Sequence, residues 1–175
     1  MPTIQQPGRT ALVIFCDPNW SPCQKLQAQA KAADLNHQCP LTRDPTYGPA
    51  TEVEKARAQV AWTREFVRRR ATGNAQPHAS LGTSVNNYPS GEKEDFTHPC
   101  MQNEMVNGQI PRDPDKNGKL KNRWAADHRT ECVAGGSTQG PMRMLDSSVN
   151  SAFGPAVAQA VTAGPVHAVT TVGCN

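Results

Sequence analysis

The segment between Lys119 and Gly154 constrains the fold of this chain more than any other. Residues 119–132 read as a strand, the pair Gly135-Gly136 as a reversal, and residues 142–145 as a returning strand. Asp146 or Ser147 then caps a helix that contains Asn150. Strands repeat every two residues and helices about every 3.6, so this order predicts a ββα unit. On a regular strand Asp127 and His128 point to opposite faces. Both can serve one site only if the backbone bulges or ends there, and such an irregularity is expected.

The flanking sequence predicts further elements. Residues 10–16 form a continuous apolar run between turn signals, which reads as a buried strand. Ser21 followed by Pro22 starts a helix that runs to about Asp34, with Asn36 as its stop. Thr51 and Glu54 fit a capping box opening a helix to about Ala71. Val53, Ala56, Val60 and Val67 are expected to face the core along it, with Trp62 and Phe66 as an i, i+4 pair. Its other face carries Lys55, Arg57, Arg64, Arg68, Arg69 and Arg70. The arginine triplet is either a solvated helix end or a phosphate-contacting patch. After Gly154, Pro155 opens a small apolar helix closed by Gly164, and residues 166–172 add a last strand, with His167 a packed or surface residue.

The 175 residues include 15 prolines and 13 glycines, with hydrophobic residues at 37% and aromatics at 5%, so apolar surface is limited and much of the chain should be irregular. One domain is expected, with a helical and loop-rich extension over 1–118, the ββα motif over 119–154, and a helix and strand over 155–175. Residues 73–115 show no sustained period and read as loop, a lid or a partner-binding surface. Asp113 to Gly118 imitates the start of a calcium loop, but Trp124 stands where the bidentate glutamate belongs, so a turn is expected. His98-Pro99-Cys100 has no second ligand pair and reads as structural. No apolar run is long enough to span a bilayer and the start lacks a Sec-type signal, so no membrane anchor is expected. Six cysteines lie scattered without a C-x-x-C pair, open to disulfides or to buried thiols.

The segment from Val13 to Cys23 is similar to the strand, turn and helix start of thioredoxins. Trp20 occupies the place of their attacking cysteine, so that chemistry lacks its first step.

The residues of the central motif point to different chemistry. Asp127 and the Asn150 carbonyl are hard oxygen donors suited to a divalent ion, and a neutral His128 can accept a proton from water. Together they are the parts for metal-assisted hydrolysis of a phosphodiester. The pattern Trp124-x-x-Asp127-His128-x-x-Glu131, then Gly135-Gly136, then Leu145-Asp146-x-x-x-Asn150-x-x-x-Gly154 resembles the HNH branch of the His-Me finger, or ββα-metal, endonucleases. It is similar to toxin domains of bacterial polymorphic toxins and secretion-system effectors. The resemblance implies an α+β protein with a ββα-metal core, His128 as general base, and Asp127 and Asn150 as ligands of one ion, Mg2+ or else Mn2+ or Zn2+. It also implies a DNA substrate, with RNA left open, and a cognate immunity protein in the producing bacterium. Export without a Sec signal and action in a target-cell cytoplasm belong to the same expectation. The family's second strand ordinarily carries an asparagine where Pro141 stands, so another group must orient the base. Glu131 is a candidate as extra ligand or orienting acid, and Arg129 as a phosphate contact. Lys119, Lys121, Arg123 and Arg143 are expected to contact nucleic acid, as is the wider basic cluster with Arg112 and Lys116. The alternative to an enzyme is an HNH-like binding module whose site has decayed.

Overall fold

The apolar run near the N-terminus forms the middle of a sheet. The computed structural model describes residues 3–6, 9–71, 98–107, 109–140 and 142–175. Strand β2 (Arg9–Phe15) pairs antiparallel with β1 (Thr3–Gln6) and parallel with β7 (Ala168–Val172), in the order β1-β2-β7. Helix α1 (Pro22–Gln38) starts where expected: Ser21 accepts from the Gln24 amide while the Gln24 side chain accepts from the Ser21 amide, a complete capping box. Asn36 does not stop the helix. Its side chain accepts instead from the Val169 amide and ties α1 to β7.

Helix α2 (Pro49–Ala71) begins two residues before the expected cap. Thr51 accepts from the Gly48 amide, so the Thr51–Glu54 box is not the one used. Its buried stripe also differs. Ala58, Trp62 and Phe66 are buried, whereas Val53, Val60 and Val67 are exposed. Two stacked rings, Trp62 and Phe66 with centroids 5.5 Å apart, outweigh three valines in deciding which face turns inward. The side chains of Arg68, Arg69 and Arg70, and residues 73–97 of the expected loop, lie outside the described residues.

Within the described part of the expected loop two short elements form, and the remainder is irregular. Helix α3 (Pro99–Gln102) is capped by His98, and Cys100 pairs with Cys23, so the His98-Pro99-Cys100 motif serves structure. Strands β3 (Arg112–Pro114) and β4 (Leu120–Asn122) form a hairpin whose turn is held by Asp115, which accepts from the Asn117 and Lys119 amides. A second disulfide joins Cys16 to Cys174, while Cys39 and Cys132 are free.

The expected strand over 119–132 is broken into β4 and β5 (Trp124–His128). Strand β5 pairs antiparallel with β6 (Met142–Asp146), and helix α4 (Ser147–Ala163), capped by Asp146, packs against both. Helix α4 is continuous through Pro155, so the two expected helices are one. The β5–β6 hairpin lies between two cores. Met142 and Met144 join Trp62, Phe66, Met101 and Trp124 on one side, and Leu145 joins α1, α4, β2 and β7 on the other. The architecture is α+β. No helix among the described residues is long and apolar enough to cross a membrane.

Candidate functional site

Strand β5 carries no bulge: its register with β6 is regular from Trp124↔Asp146 to His128↔Met142. The strand ends at His128 instead, which is the second of the two expected irregularities. Asp127 therefore faces α1 and His128 faces α2, and both reach the cavity at the strand's end. That cavity, about 490 Å³, is lined by Glu52, Lys55 and Gln59 of α2, by Asp127, His128 and Glu131, and by Asn150, Ser151 and Gly154 of α4. Four of the residues singled out in the sequence thus share one space.

The glycine pair does more than reverse the chain. Residues 132–134 make one 3-10 turn, closed by Gly135 at φ 93°, a left-handed conformation that favours glycine. A Cβ on Gly136 would collide with the Thr130 carbonyl. The segment after β5 can therefore fold back, and it lays the Thr138 carbonyl 2.8 Å from Nε2 of His128. A carbonyl only accepts, so Nε2 carries the proton. In the neutral ring Nδ1 is then the unprotonated nitrogen, and it has no hydrogen-bond partner among the described residues. Burial pushes the His128 pKa below the ordinary histidine value, and Lys55 adds to this, against the opposing pull of the Thr138 carbonyl, Asp127 and Glu131.

Lys31 is a residue at the candidate site that sequence reasoning missed. Its fully buried ammonium donates to Asp127 Oδ2 at 2.7 Å and to the His128 carbonyl at 2.9 Å, and pairs with Glu131 Oε1 at 3.2 Å. Burial alone would lower its pKa, but Asp127 and Glu131 reverse the balance and raise it, so it stays charged. Arg129 donates to Asp34 at 3.1 Å, and Arg143 lies 4.0 Å from both Asp34 and Asp127. Three cations thus meet three carboxylates, Asp34, Asp127 and Glu131, which is what lets such charges leave water. The remaining oxygen of Asp127, that of Glu131 and the Asn150 amide take part in no hydrogen bond with the described residues.

The expected nucleic-acid contacts are not brought together. Arg143 is 2% exposed and points into the ion cluster, because β6 is covered on both faces, so it has no path to a phosphate. Arg129 is turned towards Asp34. Lys119, Lys121 and Arg123 sit on and beside the β3–β4 hairpin, where Lys121 pairs with Asp115 and Arg123 with Asp113. Cys23, in its disulfide with Cys100, has no thiolate to offer in a thioredoxin-like reaction. Comparison with protein-family models, with curated proteins and with solved structures found no match.

Proposed function

We propose that this protein is a metal-dependent nuclease that hydrolyses phosphodiester bonds of DNA, with β5, β6 and α4 as a ββα-metal core. The state of His128 carries the reading. Its Nε2–H is anchored on a backbone carbonyl, its buried Nδ1 has no hydrogen-bond partner among the described residues, and Asp127, Glu131 and Asn150 line the same cavity.

The donor types lining the cavity, carboxylate and amide oxygens, suit a hard divalent ion such as Mg2+. Asp127 and Asn150 would hold it: Lys31 claims only one oxygen of Asp127, and a two-ligand site leaves room for water and phosphate. The cavity wall carries Glu52 against Lys55, while Asp127 and Glu131 are already compensated by the Lys31 ammonium behind them, so a divalent ion would add the positive charge a phosphate needs. When bound, the ion would supply Lewis-acid stabilisation of the phosphoryl charge and the leaving oxygen. His128 takes a proton from the attacking water at Nδ1, while the Thr138 carbonyl fixes the ring and favours the imidazolium that results. Glu131, held by Lys31, orients water or adds an oxygen ligand.

The effector setting supplies the rest of the proposal. Such an enzyme acts in the cytoplasm of a target cell, and its producer is protected by an immunity protein that covers the site.

Plasmid DNA and RNA incubated with Mg2+, Mn2+, Zn2+ or chelator test this directly. Metal-dependent nicking of DNA is expected, with His128→Ala lowering the rate by about 10²–10⁴ while binding persists. Cleavage by the variant at the wild-type rate removes His128 from its role, and binding without any cleavage marks a decayed scaffold.

A further inference from the structure

We propose that Lys55 is the residue that grips the scissile phosphate, an inference that rests on the nuclease reading. Helix α2 fixes where this side chain lies. Gln59 donates to the Ala126 carbonyl at 2.8 Å, and Trp62 and Phe66 bind the next turns to the core that contains Ala126. One turn back along α2, about 5.4 Å, comes Lys55. Two residues on along β5, about 6.7 Å, comes His128. The helix and strand thus bring Lys55 beside the base, and both side chains line the cavity.

Five other cations are committed, and Arg64 of α2 lines a neighbouring cavity that shares Ala56, Gln59 and Asn150 with this one. Lys31 is saturated by three acceptors, Arg129 and Arg143 face Asp34, and Lys121 and Arg123 pair with carboxylates of their own hairpin. Lys55 is half-buried and makes no hydrogen bond or ion pair with the described residues. Glu52, one turn before it, accepts from the Tyr47 hydroxyl instead. Among the described residues lining the cavity, Lys55 is the one lysine or arginine. An unpaired ammonium beside an unprotonated imidazole and two carboxylates is placed to take a non-bridging phosphate oxygen. It sets a positive charge against Glu52, the cavity carboxylate that the buried Lys31 does not compensate.

The test is the salt dependence of binding to a short DNA duplex in Mg2+, in a His128→Ala background that leaves the duplex uncut. Loss of one phosphate contact lowers the slope of log affinity against log salt by about 0.9. Between about 50 and 200 mM salt, Lys55→Gln should therefore lose roughly threefold less affinity than its parent, and Lys55→Arg should keep the parental slope. An unchanged slope in Lys55→Gln, with metal-dependent cleavage intact in the wild type, sinks the assignment and leaves the nuclease standing. A reduced slope in a protein whose wild type cuts nothing upholds the phosphate contact and sinks the nuclease. No duplex binding by the parent, with no cleavage by the wild type, removes both.

Discussion

At the scale of single residues, two buried groups set the character of the site. His128 is held neutral mainly by burial, so its folded pKa lies below the unfolded value of about 6.5. The unfolded chain then binds the proton first. The contribution of His128 to stability is therefore whole above about pH 6.5 and is lost as pH falls towards the folded value. Urea midpoints measured in chelator should decline across that window, and His128→Gln should flatten the decline. Lys31 acts in the opposite sense, as a buried charge that other charges need. Lys31→Met leaves Asp127 and Glu131 facing each other without their cation and should cost about 3–5 kcal/mol by denaturant unfolding. Adding Asp127→Asn should recover part of that loss, since one buried charge fewer is stranded. Asp127, His128, Glu131 and Asn150 were legible in the sequence because their types and spacing state a chemistry. Lys31 was not, because its partners lie about a hundred residues away in the chain.

At the scale of elements, α1 shows a signal that was present and differently used. Gln24, Gln27, Lys31, Asp34 and Gln38 recur at steps of three and four, and all of them meet the β5–β6 hairpin or its loop. Gln24 and Gln27 bind Asp146, Lys31 holds Asp127, Asp34 takes Arg129, and Gln38 donates to the Arg129 carbonyl. A search for apolar stripes passes over a polar one, although the periodicity is the same. Helix α2 teaches the converse. Its valines have helical spacing, yet the aromatic pair wins the core. Trp62→Ala should cost about 3–5 kcal/mol, whereas Val60→Ala should stay within about 0.5, both read from urea midpoints. The turn after β5 carries Cys132, whose thiol is pushed up to about 11 by burial. Iodoacetamide at neutral pH should leave it unmodified in the native protein and label it once urea unfolds the chain.

At the scale of the whole molecule, a short polar hairpin is clamped between two cores, and its buried charges are affordable because α1 supplies partners from the far end of the chain. The Cys16–Cys174 bridge closes a span of 158 residues and ties β2 to the end of β7. Removing this bridge alone should lower stability by about 5 kcal/mol on the chain-entropy account, and the urea midpoint of a Cys16→Ser, Cys174→Ser variant against wild type measures it, with Cys23–Cys100 left intact. The amino-acid sequence by itself determined the local pieces: the β2 run, the Ser21 cap, the ββα order and the residues at the strand's end. These depend on neighbours within about ten positions, and backbone sterics, capping and periodicity act over that range. Only the tertiary structure decided which cations meet buried carboxylates and that, among the described residues, Lys55 is the lysine or arginine that lines the cavity. Coulomb energy and desolvation depend on distance in space, and the chain brings residue 31 to residue 127 and residue 55 to residue 128 only when it is folded.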